Sequence, residues 1–347
     1  MPNATQRHSR SRWSTSLGIA IASALAVGVI LLAFLWPTIT AKAQNLPVAV
    51  TGPTAQVQAL TKALNAQSGN PFALTHVASR TAAVNGIKAR SYDGAIVLGS
   101  KPEVLTASAA ETTITPMMVQ VQQQLQALVP AVTVALTDVV PLASTDAHGV
   151  GMMAASFPLV IGGTLGGVLL SLLISGVWRR LASAAVYAIA GGFVIVSIMQ
   201  GWFRVLQGDY LVNVTAVTLS LFATAAFITG MAALIGRPGI AVGAVFTMLI
   251  GNPLSAATAP QQFIPQPWGD VGQWLVPGAA TSLLRELSYF PDAATVFPWM
   301  VLAGWAVLGV LLMTFGHFRS RQIVHVGGRD ERHAHLPEAT MRVPVAG

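Results

Sequence analysis

Residues 17–36 read LGIAIASALAVGVILLAFLW, an apolar run without one charged side chain, closed by Pro37. A hydrocarbon layer about 30 Å thick is crossed by about 20 residues of helix, and only a helix or a closed barrel satisfies its backbone groups there. The stretch is therefore expected to be a transmembrane anchor. Arg7, Arg10 and Arg12 precede it with no acid among them, which is expected to keep the tail of residues 1–16 in the cytoplasm. A cleaved signal peptide, with Ala41-Lys42-Ala43 as its site, is the competing reading. The run is about twice the usual length of a signal core and a lysine interrupts the site, so an uncleaved anchor is preferred.

Composition extends this reading to the whole chain. Hydrophobic residues make up 53% and charged residues 9%, against about 25% charged in a soluble domain. So few charges do not clothe a soluble surface. The net charge of +7 comes in short basic groups with no interleaved aromatic stripe, so it reads as a topology signal, and no nucleic-acid partner is expected. With no cysteine, disulfides, thiolate metal sites and cysteine nucleophiles are excluded.

Five further apolar segments follow, at residues 152–178, 182–202, 212–236, 240–251 and 297–316. If the chain starts inside and crosses six times, Arg179, Arg180, Arg237, Arg319 and Arg321 all fall in the cytoplasm. Residues 39–150, the turn at 201–210 and the loop from Asn252 fall outside. Arg204 and Arg285 stand on that outer side, each neighboured by an acid, Asp209 and Glu286. The expected protein is a polytopic α-helical membrane protein with six transmembrane helices in a bacterial cytoplasmic membrane, both termini cytoplasmic. Residues 152–316 form its five-helix domain, and residues 317–347 are a cytoplasmic tail expected to be disordered.

The polar block at 39–150 has its own pattern. Residues 46–50 alternate and run into Thr51-Gly52-Pro53, a strand and a turn. Val57, Leu60 and Leu64 recur at helical spacing over 54–70, after a threonine cap. Strands are expected at 72–77, 95–98 and 104–109, the last two as a hairpin, with helices at 81–90 and 114–128. The order β-α-β-α-β-β-α points to an extracytoplasmic α/β domain with helices packed on a mixed sheet.

Chemistry-bearing motifs are sparse. Ser144, Asp146 and His148 lie close together in ASTDAHG, but on a linker before a membrane helix, with no second cluster to complete a metal shell or a triad. A helix-capping linker is the plainer reading. His76 sits on an expected strand, and His325, His333 and His335 in the tail. Walker A, GxSxG and HExxH patterns are missing, so no enzyme, cofactor, metal or catalytic residue is expected.

The apolar half carries small-residue packing signals instead. Gly162, Gly163, Gly166 and Gly167 form two overlapping GxxxG spacings, and Gly191 and Gly192 interrupt the next span; Gly239 and Gly243 repeat the spacing more weakly. Helices in lipid associate through such close approach, as a static seam or a sliding one. Hardly an ionisable side chain lies in the expected spans, which disfavours ion-coupled transport and suits an amphiphilic cargo. Between the fifth and sixth spans, Asn252 and Pro253 break the helix, Trp268 and Trp274 suit the headgroup layer, and residues 277–289 set Leu283, Leu284 and Leu287 opposite Arg285 and Glu286. A re-entrant or interfacial helical segment is expected within the outer hairpin 252–290, the alternative being an ordinary external loop. Its candidate substrate or gating residues are Asn252, Pro253, Trp268, Trp274, Arg285 and Glu286.

The segments DVVPLASTDAHGVGMMAASFPLVIGG (138–163) and GNPLSAATAPQQFIPQPWGDVGQWLVPGAATSLLRELSYF (251–290), in this layout, resemble the membrane subunits of type 2 ABC exporters. The closer resemblance is to the YhgE/Pip-like, or phage infection protein-like, branch, and it covers most of residues 17–316. It implies a permease half that pairs as a homodimer or with a second permease, surrounded by membrane lipids. A separate cytoplasmic ATPase would use the ATP, the cargo would be hydrophobic or lipid-like, and the external domain would gate exit or meet an envelope protein partner. The rival expectation is a non-transporting envelope protein whose external domain binds a wall, lipid or protein partner. A lipid-directed membrane enzyme would have to draw on Ser144, Asp146, His148, Asn252 and Arg285.

Overall fold

The computed structural model describes residues 13–327 apart from 67, 68, 70 and 258, with side chains as far as residue 318. Arg7, Arg10, Arg12, His333 and His335 lie outside the described residues, as does most of the tail. Helix α1 spans Trp13–Ile39, longer at both ends than the anchor expected at 17–36. A polytopic helical protein results. Five helices are long and apolar enough to cross a membrane, at Trp13–Ile39, Val150–Leu173, Val177–Trp202, Tyr210–Ile235 and Val296–Phe318, and a shorter apolar helix occupies Arg237–Gly251.

Between α1 and the helical bundle lies a five-stranded sheet. Its strands are β1 (Leu46–Thr51), β2 (Phe72–His76), β3 (Gly94–Val97), β4 (Glu103–Thr106) and β5 (Ala135–Asp138). The order across the sheet is β2-β1-β3-β4-β5; only the β3–β4 pair is antiparallel, and it is the expected hairpin. Side-chain alternation splits the interior in two. Leu46, Val48, Val50, Ile96 and Val104 face helices α2 (Thr54–Asn65) and α4 (Ile114–Leu128), while Ala49, Ala95 and Leu105 face α3 (Arg80–Lys88). Opposite faces for α2 and α3 follow from two right-handed crossovers that run in opposite directions across the sheet, from β1 out to β2 and then from β2 back past β1 to β3. Strand β5 was not expected: three of its four residues are exposed, and an edge strand with one neighbour leaves little alternation to read. The expected threonine cap is also corrected. Thr54 is already helical, and Pro53, fixed at φ −57°, holds the capping position without a side-chain hydrogen bond.

The remaining helices are α5 (Val150–Leu173), α6 (Val177–Val196), α7 (Tyr210–Ile235), α8 (Arg237–Val245), α9 (Trp268–Gln273), α10 (Val276–Tyr289) and α11 (Val296–Gly327). Both α6 and α8 end in a widened π turn, Ser197–Trp202 and Phe246–Gly251. The first hairpin turns earlier than expected. Gly176 takes φ +89°, and Arg180, now in the opening turn of α6, donates to the free carbonyls of Ser171 and Ile174 at 3.0 and 2.6 Å. Likewise α11 runs to Gly327, past the end expected at residue 316.

Helix α7 is the axis of the bundle, with two thirds of its most apolar stretch buried. Its run of alanine, serine, threonine and glycine lets neighbouring backbones approach closely. A Cβ on Gly309 of α11 would meet the Ala226 backbone, and one on Gly316 the Ala233 backbone. Helix α10 then wedges in beside α7. Its start, Val276 and Pro277, stands next to Thr224, midway along α7. Its end reaches past the top of α7, where the Tyr289 hydroxyl donates to the Val205 carbonyl at 2.9 Å.

Candidate functional site at the junction of sheet and helices

The sheet turns the amino ends of β1 and β3 toward α10, and three charged residues sit there. Arg90 ends α3 in a left-handed conformation, φ +61°. Asp93 is held before β3 by its amide, which donates to the Pro47 carbonyl at 2.8 Å. Glu111 lies in the turn that leads into α4, where its carbonyl accepts from Ile114 N. From the helical side come Asp270 and Gln273 of α9 and Ser282, Arg285 and Glu286 of α10. Together these residues line a chamber of about 360 Å³.

One ion pair closes the back of the chamber. Arg285 donates to Glu111 Oε1, and both residues are buried. Breaking such a pair from one side costs about 3–5 kcal/mol, because it leaves a charge in a low-dielectric setting. Arg285 is thus buried on its helix, and its ion-pair partner is Glu111, 174 residues away in the sequence. Next to it Phe290 enters the sheet domain, fully buried with Ala49, Ile87, Ala95 and Leu105, and the Arg90 guanidinium lies 5.0 Å over its ring. The two halves of the molecule share one core there.

Burial sets the electrostatics. Asp93 is pushed above the usual carboxylate range by desolvation, opposed by Arg90, whose Nη1 stands 3.8 Å from Asp93 Oδ1. Glu111 is also pushed up by burial, with Arg285 the main opposing influence. Four buried polar atoms around the chamber have no hydrogen-bond partner among the described residues: Arg90 Nη1, Asp93 Oδ2, Gln273 Nε2 and Glu286 Oε2. Two are donors and two are carboxylate acceptors. Unpaired buried groups of this kind are rare in folded proteins, and of the four only Arg90 Nη1 has an ion-pair partner, Asp93.

The chamber does not collect every expected site residue. Arg285, Glu286 and Trp274 line it. Asn252 and Pro253 instead line a separate cavity of about 590 Å³ with Phe34 and Pro37 of α1 and Met153 and Phe157 of α5. Trp268 is 46% exposed and borders neither. Gly163 and Gly167 face Thr224, Ala225 and Ile228 of α7, and Gly166 faces Tyr187 of α6, whose hydroxyl donates to the Gly162 carbonyl at 2.6 Å. Gly191 meets Leu221, and Gly192 meets Thr218. In the linker, Asp146 caps α5 by accepting from Gly151 N and Met152 N at 2.9 and 3.2 Å. Ser144, Asp146, His148, Asn252 and Arg285 are thus not gathered in one cavity, and the described residues hold no group of His, Cys, Asp or Glu arranged for a metal ion.

Arg90, Asp93 and Glu111 escaped the sequence reading, since none of them belongs to a motif that carries chemistry. Scarcity was the available clue, with 12 acids in 347 residues. No family model matches the sequence, and no curated protein or solved structure matches it either.

Proposed function

We propose that the chain is the permease-like subunit of a type 2 ABC exporter of the YhgE/Pip-like kind, passing a hydrophobic or lipid-like molecule outward with energy from a separate cytoplasmic ATPase. In this reading the five long helices and the shorter Arg237–Gly251 make six crossings of a bacterial cytoplasmic membrane. Both termini are cytoplasmic, and residues 39–150 are outside. What supports it is α10. A helix of 14 residues rises about 21 Å, too little to cross. It starts beside Thr224 and Gly251, deep in the bundle, and ends under the sheet, as a re-entrant hairpin at the outer boundary does. A polar chamber over such a hairpin is the place where an amphiphile leaves the bilayer.

Two measurements test this. The chain has no cysteine, so Ser100→Cys gives a single label site, expected to react with an impermeant maleimide from outside intact cells. The tagged chain, purified from its own membrane, is expected to bring a nucleotide-binding subunit and to support ATP-dependent movement of a fluorescent lipid in proteoliposomes. Labelling from the cytosolic face alone removes the topology, and purification without any ATPase removes the exporter.

One observation favours the rival reading of a non-transporting envelope protein. The α5–α6 connection is residues 174–176 and the α7–α8 connection is Gly236, which leaves little cytoplasmic surface for an ATPase to grip. A chain that keeps lipid or wall binding but recruits no ATPase fits that role.

A further inference from the structure

The chamber has a neighbour. Along α11 runs an apolar groove of about 370 Å³ lined by Trp274, Phe297, Met300, Val301, Trp305 and Leu308. Its floor includes Gly304, beside which nothing stands within 4 Å of a missing side chain. Met300 and Leu308 are exposed, so on a membrane-spanning helix the groove opens to lipid. Trp274 and Phe297 line both the groove and the chamber, in edge-to-face contact with ring centres 5.0 Å apart. Trp305 fixes the tryptophan by donating from Nε1 to the Trp274 carbonyl at 2.8 Å. A polar compartment and an apolar one thus meet at a shared aromatic wall.

The polar side is specific about charge. Its acceptors without a hydrogen bond, Asp93 Oδ2 and Glu286 Oε2, suit an ammonium, and its donors without one, Gln273 Nε2 and Arg90 Nη1, the latter ion-paired with Asp93 at 3.8 Å, suit a phosphate oxygen. Asp93 is buried to within 6% of full occlusion, so water does not simply replace the missing partner at the surface. Four carboxyls (Asp93, Glu111, Asp270 and Glu286) face two guanidiniums (Arg90 and Arg285), an excess of acid that opposes a purely anionic group. On the apolar side, the groove runs from Phe297 to Leu308, about 16 Å of helix, or about half the hydrocarbon thickness. That is the depth of one leaflet.

We infer that chamber and groove together bind one phospholipid whose headgroup carries a primary ammonium beside its phosphate, with the headgroup among Arg90, Asp93, Gln273 and Glu286 and an acyl chain along Gly304 of α11. The inference rests on the membrane placement proposed above and names the class of amphiphile that the site accepts; it does not depend on an ATPase. Trp274 and Phe297 form the collar between head and tail. Arg285 stays with Glu111 and holds the chamber's rear wall.

The test uses the full chain in detergent micelles, titrated with short-chain phosphatidylethanolamine, short-chain phosphatidylglycerol and free phosphoethanolamine, and read by Trp fluorescence and by mass shift under native conditions. Saturable binding of the phosphatidylethanolamine is expected, at least tenfold tighter than either other probe. Glu286→Gln is expected to weaken it tenfold or more. Gly304→Leu, which fills the groove on a face that packs against nothing, is expected to weaken the lipid tenfold while leaving the affinity for phosphoethanolamine unchanged. Equal binding of the two lipids, or lipid binding indifferent to Gly304→Leu, overturns the inference. Phosphoethanolamine binding as tightly as the lipid also overturns it, in favour of a soluble amine ligand. The ATPase search has a separate readout: its failure with lipid binding intact sinks the exporter alone, and its success with lipid binding absent sinks this inference alone.

Discussion

Helices α1 and α10 reverse the usual relation between hydrophobicity and burial. Of the 27 residues in α1 all but four are exposed and only Pro37 is buried, although it has the most apolar stretch among the described helices. Nine of the 14 residues of α10 are buried, among them an arginine. Lipid explains the difference: to a helix in hydrocarbon, an apolar neighbour is no better than the solvent, so hydropathy reports exposure to lipid and not a place in the core. A helix bearing Arg285 and Glu286 has no such refuge. It is stable where protein covers it, and it leans on α7, α11 and the sheet domain to be covered.

The largest blow to this contrast comes from Arg285→Leu, which strands Glu111 in the interior and is expected to cost about 3–5 kcal/mol. Thermal unfolding of the purified protein in nanodiscs measures it. Arg285→Leu combined with Glu111→Leu is expected to recover most of the loss, and a double variant no better than the single one removes the pair from the account. Glycines give a matched test of the two helices. A Cβ at Gly278 of α10 would strike the Gly272 carbonyl, so Gly278→Val is expected to lower stability by about 1–3 kcal/mol.

A smaller effect follows from Asp93. Its carboxyl is pushed up by burial, so the folded state binds the proton more tightly than the unfolded chain. The corresponding stability is present below the ordinary Asp range, and is lost as the pH rises through the raised value. Asp93→Asn, which mimics the protonated form, is therefore expected to melt above the wild type at pH 7–8 and level with it near pH 3; a constant offset across that range counts against the assignment. Last comes Gly28→Val on α1, where nothing stands within 4 Å. It is expected to change stability by less than about 0.5 kcal/mol, as a substitution that meets no neighbour does. A loss comparable with that of Gly278→Val places a partner on α1 and ends the contrast.

Legibility in the sequence divides along the same line. Five of the six expected spans stood out because an uninterrupted apolar run has one physical explanation at that length. The sheet domain was readable from alternation in β1 and from the Val57, Leu60 and Leu64 spacing, and failed at β5, where exposure erased the pattern. Half of the chamber was visible, since Arg285, Glu286 and Trp274 belong to one local segment whose amphipathicity is a short-range signal. Arg90, Asp93 and Glu111 were not, because what makes them matter is contact across 174 residues of chain between Glu111 and Arg285, and neither composition nor spacing encodes that. The turn at Gly176 was misplaced for a related reason: arginines were read as loop, while Arg180 caps the preceding helix from inside the next one.

Phe290 belongs by position to the helical half and by packing to the sheet. Dissection is where this tells: excising the polar block would bare an aromatic ring and a guanidinium on the stump, and a liberated sheet would carry a hole the size of a phenyl group through its middle. The protein is divisible on paper at two boundaries, yet its halves are joined like a mortise and its tenon, and neither makes a clean fragment.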